Sequence, residues 1–456
     1  MMFLAVGCYS IVASAATATP ELRAEEHHAE IKIRIVHIGS DAWSLTYKLA
    51  KPADRLDLGP SLGGFRQRDW QVITDGVKIK TKNGRDYLEA EKKPAKFSNV
   101  VIRFTARTLG RKKDYEPIVP FGQSGGLLYT GHFWPWRENG GRQFATFSFV
   151  PEQGAYVSVF DQHQEQIESW QSSISHPAFV YFGPLAPTKS DVILSVTDPE
   201  IPAWVSDQMT EAMPKILSKL AMLFGRELLV TPNLFFSFQQ PTPVGWFGYA
   251  GDALPGQFRL ALSGGGWLSP SELGADLLNR ALAHEAVHLW QLSAFPRDEN
   301  VPDWIHEGAA DGIAAEALLA LGIWDGAQWI NDFDDAKEEC AFELDDGSLR
   351  GAIGRGSIRG IYACGHVLMR VAAQAHNDRG SISVFWRDFA DRAEANDGYD
   401  AALFFSMIEE AGGRDLARKV RRFERTAFAR PDREIDHLLG LVTEEASRAR
   451  HPRGSN

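Results

Sequence analysis

Two hydrophobic patterns divide the chain. From about residue 31 to residue 196, apolar and polar residues alternate in short runs such as Ile31 to Val36 and Val77 to Lys80. An alternation with a period of two is typical of strands that bury one face. Turn sequences such as Lys82-Asn83-Gly84 separate the runs. We therefore predict an antiparallel β-sheet domain of the sandwich type in this part of the chain.

Helical patterns dominate after about residue 200. A helical pattern runs up to Phe224, and Gly225 marks its end. Leu228 to Phe238 and Phe258 to Leu262 are predicted as strands, and the acidic segment from Asp332 to Asp346 is predicted as a solvated loop, with calcium binding as the alternative. The predicted fold class is α+β, with an N-terminal antiparallel β domain followed by a mainly helical domain that contains a small sheet.

Length and composition are those of a two-domain globular protein. The chain has 456 residues, of which 44% are hydrophobic and 23% are charged, and its formal net charge is −11. A surface with this charge repels nucleic acid, so we expect no nucleic-acid partner. After the N-terminal segment no run reaches the roughly 20 apolar residues of a membrane span, so we expect no transmembrane segment.

The N-terminal residues predict export. Residues 1–18 carry no charge and contain Ala13-Ser14-Ala15, the small-x-small pattern of a signal-peptidase site. We therefore predict a signal peptide over residues 1–18, a linker over residues 19–30 and a periplasmic or secreted location. A lipobox-like sequence around Cys8 leaves a lipid anchor as the alternative. At the other end, residues 446–456 are predicted to form a flexible tail.

A helix that begins near Ser269 carries the candidate chemistry. Ser269 is a suitable N-cap and Glu272 completes a capping box, so the helix is predicted from there to about Trp290. It contains an H-E-x-x-H motif, whose His284 and His288 lie on one face because residues four apart stack on a helix. Two imidazoles on one face can bind a single metal ion. Two core histidines are the alternative.

The residues around this motif predict a hydrolytic zinc site. Glu285 would stand beside the ion and take a proton from its bound water, whose pKa zinc lowers toward neutrality. Glu307, in the next predicted helix, would be the third ligand and leave one position open for water. Asp311, one turn later, is placed to accept the outer N–H of a ligand histidine. We therefore predict one zinc ion bound by His284, His288 and Glu307.

These motifs resemble those of the gluzincin zinc peptidases and, within them, the aminopeptidase N family. Eighteen residues separate the H-E-x-x-H motif from Glu307, which stands in a W-x-x-E-G-x-A context, and the spacing of Glu307 and Asp311 is similar to that in thermolysin. The resemblance implies a thermolysin-like catalytic domain over residues 201–445, preceded by a β-rich domain over residues 31–200. It also implies peptide-bond hydrolysis with Glu285 as the general base.

The resemblance adds candidates for contacts with the oxyanion or the substrate. Tyr362 and Gly365 match the family's Y-x-x-G pattern, in which the tyrosine hydroxyl stabilises the oxyanion. His366 lies one turn further along the same face and could assist. Gly264 and Gly265 are two further candidates in a glycine-rich segment before the H-E-x-x-H helix.

Two cysteines remain outside the export segment. In an exported protein Cys340 and Cys364 are a natural disulfide pair, and two buried thiols are the alternative. A bridge between them would pin the helix that carries Tyr362.

The sequence departs from the family at the substrate-binding strand. The family's G-x-M-E-N segment, whose glutamate helps bind the free amine of the substrate, corresponds here to residues 258–267, which contain no acid. Phe258 to Ser263 are expected to form the edge strand along which a peptide lies. Asp252 and Glu272 are acids that could replace the missing one. The choice between endopeptidase and exopeptidase therefore stays open.

The resulting hypothesis is an exported zinc metallopeptidase that acts on peptide or protein substrates, with aminopeptidase specificity as one option. Two alternatives from other classes stay open. One is a catalytically weak protein that binds peptides or cell-wall fragments on a peptidase fold. The other is a non-peptidase zinc hydrolase, for example one that acts on epoxides or esters.

Overall fold

The computed structural model describes residues 30–450, except for residues 40, 109–114, 122–124, 138–139, 173–175, 240–244, 294–300, 377–379 and 396–397. For residues 293 and 443–450 it describes the backbone path alone. The predicted signal peptide with Cys8, and the predicted linker up to residue 29, lie outside the described residues.

The strands of the described chain fall into four sheets. In chain order they are β1 Ile31–Gly39, β2 Ala42–Ala53, β3 Arg55–Pro60, β4 Trp70–Val72, β5 Val77–Lys82, β6 Arg85–Ala90, β7 Phe97–Thr105, β8 Ile118–Pro120, β9 Gly126–Tyr129, β10 Ala145–Val150, β11 Tyr156–Val159, β12 Gln162–Gln164, β13 Ile167–Trp170, β14 Phe179–Gly183, β15 Thr188–Lys189, β16 Leu194–Thr197, β17 Asn233–Gln239, β18 Gly248–Leu254 and β19 Gln257–Ser263.

With one short exception, the α-helices of the described chain lie after residue 200. They are α1 Phe65–Asp69, α2 Ala203–Phe224, α3 Glu272–Ser293, α4 Asp303–Ala320, α5 Gly326–Glu343, α6 Ala352–Arg355, α7 Ile358–His376, α8 Ile382–Ala395, α9 Ala401–Arg425 and α10 Pro431–Arg450. The predicted α+β fold class is thereby confirmed, with β sheets first and a helical region with its own sheet after them.

The alternating pattern builds a six-stranded sheet in the order β13-β10-β1-β2-β7-β4. Every second residue at the start of β1 (Ile31, Ile33 and Ile35) is buried in the core that this sheet covers, as a period of two predicts. β1 pairs antiparallel with β2 but parallel with β10, so the prediction of an antiparallel sheet is wrong at this one pair. The long connection between β1 and β10 makes parallel pairing possible.

The second sheet has the order β12-β11-β14-β9-β8, and its strands β9 and β14 are buried on both faces. Leu128 and Val180 belong to the core shared with the first sheet, whereas their neighbours Leu127 and Phe179 pack with Phe235 of β17. For this reason β9 and β14 are continuous runs of buried residues and do not alternate. The second sheet therefore joins the first part of the chain to the part that carries the helices, while β3, β6 and β5 form a separate three-stranded sheet.

The third sheet, in the order β15-β16-β17-β19-β18, supports the helices. β16, β17 and β19 pair in parallel, and β18 is added to β19 as an antiparallel edge. The prediction that Phe258 to Ser263 form the edge strand is wrong, because this segment lies in β19 and β18 covers it. The edge is β18, whose glycines and polar residues interrupt the hydrophobic pattern from which a strand is predicted. Leu234, Phe236 and Phe258 of this sheet share one large core with the helices.

Helix ends follow the capping residues. α2 ends before Gly225, which has the left-handed φ of 69° that favours glycine, as predicted. α3 begins two residues later than predicted, because the hydroxyl of Ser271 and not that of Ser269 accepts a hydrogen bond from the backbone N–H of Gly274, at 3.0 Å. Ser269 itself has extended backbone angles.

The acidic segment after Asp332 is mostly helical. α5 begins with a capping box formed by Asp325 and Gln328 and continues to Glu343, so the predicted loop from Asp332 to Asp346 is wrong over most of its length. Asp332 is buried and lies 3.2 Å from the guanidinium of Arg280 on α3.

The last helix, α10, reaches Arg450 and so extends past residue 446, where the flexible tail is predicted to begin. Among the described helices we find none with the length and apolar character needed to cross a membrane. The domain boundary near residue 200 stays a prediction from the sequence.

Candidate active site

Three donor atoms from two helices converge on one point. His284 and His288 lie on α3, and Glu307 lies on α4. The two imidazole Nε2 atoms are 3.0 Å apart, and Oε2 of Glu307 lies 3.3 Å from Nε2 of His284 and 3.2 Å from Nε2 of His288. Two zinc bonds of 2.0–2.1 Å at a tetrahedral angle separate their donor atoms by about 3.3–3.4 Å. These residues therefore fit a zinc ion and come together as a possible metal-binding group.

Each imidazole is held from behind by a hydrogen-bond acceptor. Nδ1 of His284 lies 2.8 Å from Oδ1 of Asp311 on α4, and Nδ1 of His288 lies 2.7 Å from Oε1 of Gln291 on α3. When Nδ1–H is donated outward, Nε2 carries the lone pair that faces the shared point. Asp311 lies where the sequence predicts it. Gln291 was not predicted, although its place one turn after His288 was a signal for it.

Charge around the site favours a bound cation. Burial lowers the pKa of His284, but the hydrogen bond and charge of Asp311, together with Glu307, outweigh burial and raise that pKa to about 10. Burial raises the pKa of Asp311, but the bond from His284 and the charge of Arg280 hold this pKa below its usual value. A metal ion that binds His284 at neutral pH must therefore displace a proton.

The carboxyl group of Glu285 lies against the edge strand β18. Only the missing side chain of Gly251 leaves room for it, since a Cβ atom at Gly251 would lie 1.9 Å from Oε1 of Glu285. Burial raises the pKa of Glu285, the charges of His284 and His288 oppose this rise, and the charges of Asp252 and Glu307 add to it. A carboxylate with a raised pKa is a stronger base, which suits proton transfer near neutral pH.

Tyr362 reaches the site because two helices touch through glycines. A Cβ atom at Gly308 of α4 would lie 2.0 Å from the carbonyl carbon of Gly365 of α7. This close approach brings the ring of Tyr362 to 5.6 Å from the ring of His284. Burial raises the pKa of Tyr362, and nearby carboxylates, first among them Glu307, raise it further. The phenol is therefore a neutral hydrogen-bond donor over the ordinary pH range.

Of the two acids considered as replacements for the missing amine anchor, only Asp252 stands near the ligand group. It lies on β18 and forms an ion pair with Arg259, its partner across the strands. Burial raises the pKa of Asp252, Arg259 opposes this, and Glu116 and Glu307 raise it further. Glu272 is the exposed first residue of α3. Arg259 and Glu116 were not predicted, and no sequence motif marks them.

Three predicted contacts with substrate or oxyanion have other surroundings. His366 is only 1% exposed, and its ring packs against that of Phe333 with centroids 5.3 Å apart. This burial does not support a direct contact with substrate. Gly264 packs against Trp246, which leaves no room for a Cβ atom, and Gly265 begins a 3-10 turn. For both glycines a role at the oxyanion stays a prediction.

Cys340 of α5 and Cys364 of α7 form a disulfide, and both are fully buried. The bond ties α7 to α5 two residues beyond Tyr362. The hypothesis that the bridge holds the helix of Tyr362 in place is therefore consistent with the position of the bond.

Comparison with known proteins places this arrangement in a known fold. No protein-family model and no curated protein matches the sequence. Among solved structures, the chain is similar to an aminopeptidase N family protein from Idiomarina loihiensis, with a TM-score of 0.61 at 12% identity over 90% of this chain and 78% of that one. It is also similar to yeast LTA4 hydrolase, solved in complex with bestatin, with a TM-score of 0.51 at 12% identity over 83% of this chain and 64% of that one. The chain therefore has the fold of the aminopeptidase N family of zinc peptidases, as the motif resemblance implies.

Proposed function

We propose that this chain is a zinc-dependent peptidase in which His284, His288 and Glu307 bind the metal. The observation that carries the proposal is the convergence of their three donor atoms, none more than 3.3 Å from another, next to the buried carboxyl group of Glu285. The shared fold with the aminopeptidase N family supports a peptide as the substrate.

The residues around the metal-binding group divide the chemistry among them. A bound zinc ion would supply Lewis acidity toward the scissile carbonyl and lower the pKa of a water molecule. Glu285 would take the proton from that water and pass it to the leaving amine. Tyr362 would donate a hydrogen bond to the oxygen on which negative charge develops. Asp311 would hold the imidazole of His284 in the tautomer that keeps Nε2 free for the metal.

The substrate would lie along β18, since an edge strand offers unpaired backbone groups to a peptide. Asp252 is the acid of this strand, and Arg259 already engages its carboxylate. A substrate amine would have to compete with this guanidinium for the carboxylate of Asp252. The proposal is therefore limited to peptidase activity. The cleavage positions in a digest decide between amino-terminal and internal attack.

A digest of a peptide library, with and without a chelator and combined with metal analysis, tests the proposal. We expect about one zinc ion per chain and cleavage that the chelator abolishes. In Glu285→Gln the zinc content should stay, while turnover falls by roughly 10²- to 10⁴-fold because the base is lost. Turnover of Glu285→Gln close to that of the wild type would reject Glu285 as the base.

The same experiment, extended by assays with ester and epoxide substrates, separates the alternatives. A wild-type protein that binds peptides and zinc without cleaving any peptide favours a binding protein on a peptidase fold. Cleavage of esters or epoxides without cleavage of any library peptide favours a non-peptidase hydrolase. A chain without bound zinc overturns the proposal as a whole.

A further inference from the structure

We propose that Gln291 is a positioning residue that orients His288 for the metal and links it to the helix of Glu307. The inference rests on the proposed zinc site. Gln291 lies on α3 one turn after His288, and its side chain is completely buried. Its Oε1 lies 2.7 Å from Nδ1 of His288, and its Nε2 donates to the backbone carbonyl oxygen of His306 at 3.0 Å.

The direction of these two hydrogen bonds follows from the chemistry of their ends. A backbone carbonyl oxygen can only accept a hydrogen bond, so the NH2 end of the Gln291 amide must face His306. The amide oxygen must then face His288 and accept a hydrogen bond there. Nδ1 of His288 is therefore the donor, and its Nε2 keeps the lone pair that a metal needs. The carbonyl of His306 thus selects the tautomer of His288 through the amide of Gln291.

The same bond ties two ligands together. His306 directly precedes Glu307 in α4, so a bond to its carbonyl sets the position of the Glu307 backbone relative to α3. The His306 ring also stacks on the ring of His288, with centroids 4.6 Å apart and an interplanar angle of 11°. Nδ1 of His306 lies 3.1 Å from the hydroxyl of Tyr399, so a buried tyrosine supports the stack from behind.

The two ligand histidines are therefore supported in different ways. Nδ1 of His284 is hydrogen-bonded to a carboxylate of the opposite helix, that of Asp311, at 2.8 Å. Nδ1 of His288 is hydrogen-bonded to a neutral amide of its own helix, and this amide donates a hydrogen bond to the opposite helix. A neutral partner adds no further charge to a buried site that already contains Glu285 and Glu307, and a second carboxylate there would raise the cost of desolvation.

The alternative is that Gln291 only stabilises the packing of α3 against α4 in the core. Gln208 offers a matched control, because its Nε2 donates to the backbone carbonyl of Ala275 on α3 at 3.0 Å. This bond also joins two helices, α2 and α3, and Gln208 is linked to none of the proposed metal ligands. The two glutamines therefore separate a role in metal binding from a role in helix packing.

The test compares Gln291→Met, Gln291→Glu and Gln208→Met. Zinc affinity is measured by competition with a chelator of known affinity, and the free energy of unfolding is measured on the metal-free protein. Gln291→Met keeps the side-chain length but loses both hydrogen bonds, and its zinc affinity should fall by 10- to 100-fold. Gln291→Glu keeps an acceptor for Nδ1 of His288 but loses the donor to the carbonyl of His306, so its zinc affinity should fall by less than that of Gln291→Met, within about fivefold of the wild type. Gln208→Met should lose stability alone.

Each result decides one point. Zinc affinity of Gln291→Met equal to that of the wild type overturns the inference and leaves the proposed peptidase intact. An equal loss of affinity in Gln291→Glu and Gln291→Met also overturns it, because an acceptor for His288 would then not matter. If Gln291→Met does not fold, Gln291→Glu is compared with Gln208→Met, and equal zinc affinities of these two variants overturn the inference. Absence of zinc binding in the wild type is a different result and overturns the proposed function itself.

Discussion

At the scale of the residue, Gly251 controls where the candidate base can stand. Its backbone φ is not positive, so an alanine could adopt the same backbone conformation without strain. Space is the constraint, because the carboxyl group of Glu285 occupies the volume that a Cβ atom would fill. The edge strand β18 therefore shapes the site because it has no side chain at position 251, where the carboxyl group of Glu285 lies.

We predict that Gly251→Ala lowers kcat by about 100-fold or more, because a shift of about 1 Å in a catalytic group can have an effect of this size. Zinc content should stay at the wild-type level, since the three proposed ligands are on α3 and α4. Gly326→Ala is the control, because a Cβ atom there meets open space. Peptidase kinetics with metal analysis check the prediction, and a kcat within threefold of the wild type would contradict it.

At the scale of the element, the crossing of α4 and α7 brings together two residues with proposed roles, Glu307 and Tyr362. Gly308 follows Glu307 directly, and Gly365 lies one turn after Tyr362. A Cβ atom at Gly365 would lie 2.3 Å from the carbonyl oxygen of Trp304 and 2.9 Å from the Cα atom of Gly308. The glycines of the two motifs thus let the helices touch and hold the phenol near the ligand group. The Cys340–Cys364 disulfide secures α7 from its other side, against α5.

For Gly365→Ala we expect a double effect. The added methyl group pushes the helices apart, which should lower the free energy of unfolding by about 1–3 kcal/mol. It should also lower kcat, because Tyr362 moves away from the substrate oxygen. Urea unfolding and steady-state kinetics measure the two effects, and Gly354→Ala in α6, which meets no neighbour within 4 Å, is the control. A variant with reduced stability and unchanged kcat would show that the crossing does not position Tyr362.

At the scale of the whole molecule, polar residues from three helices lie behind the site, and two of them, Asp332 and His366, are buried. Arg280 of α3 pairs with Asp332 of α5, and Nδ1 of His366 on α7 is 3.9 Å from the same carboxylate. Burial lowers the pKa of His366 to about 3, and Asp311 offsets only part of this. The folded protein therefore keeps this ring neutral, whereas an unfolded chain binds a proton there near pH 6.5.

This difference predicts a loss of stability in acid. The folded-state pKa of His366 lies below the unfolded value, so its contribution is present above about pH 6.5 and is lost as the pH falls from 6.5 toward 3. Between pH 7 and pH 5 the loss amounts to about 2 kcal/mol for one such group. His366→Leu should lack this part of the pH dependence. Denaturant unfolding of metal-free protein at both pH values checks it, and equal pH slopes for the variant and the wild type would contradict the assignment.

The proposed metal donors, the proposed base and the order of the elements could be predicted from particular residues. His284 and His288 share a face because helical periodicity is local, and Ile31 to Val36 alternate because a strand with one buried face needs only its own neighbours. The edge strand could not be predicted in this way. Phe258 to Ser263 have the apolar composition of a strand, but the presence of another strand beyond them depends on pairing with a segment that lacks such a pattern.

By itself, therefore, the sequence determined which groups are available to bind a metal and to move a proton, because spacing along one helix decides which side chains point the same way. Only the tertiary structure decided how closely these groups meet. The room for Glu285, the approach of Tyr362 through Gly308 and Gly365, and the support of His288 by Gln291 each depend on the packing of segments far apart in the chain. Such packing depends on the shapes of both partners at once, and no local pattern in either segment records it.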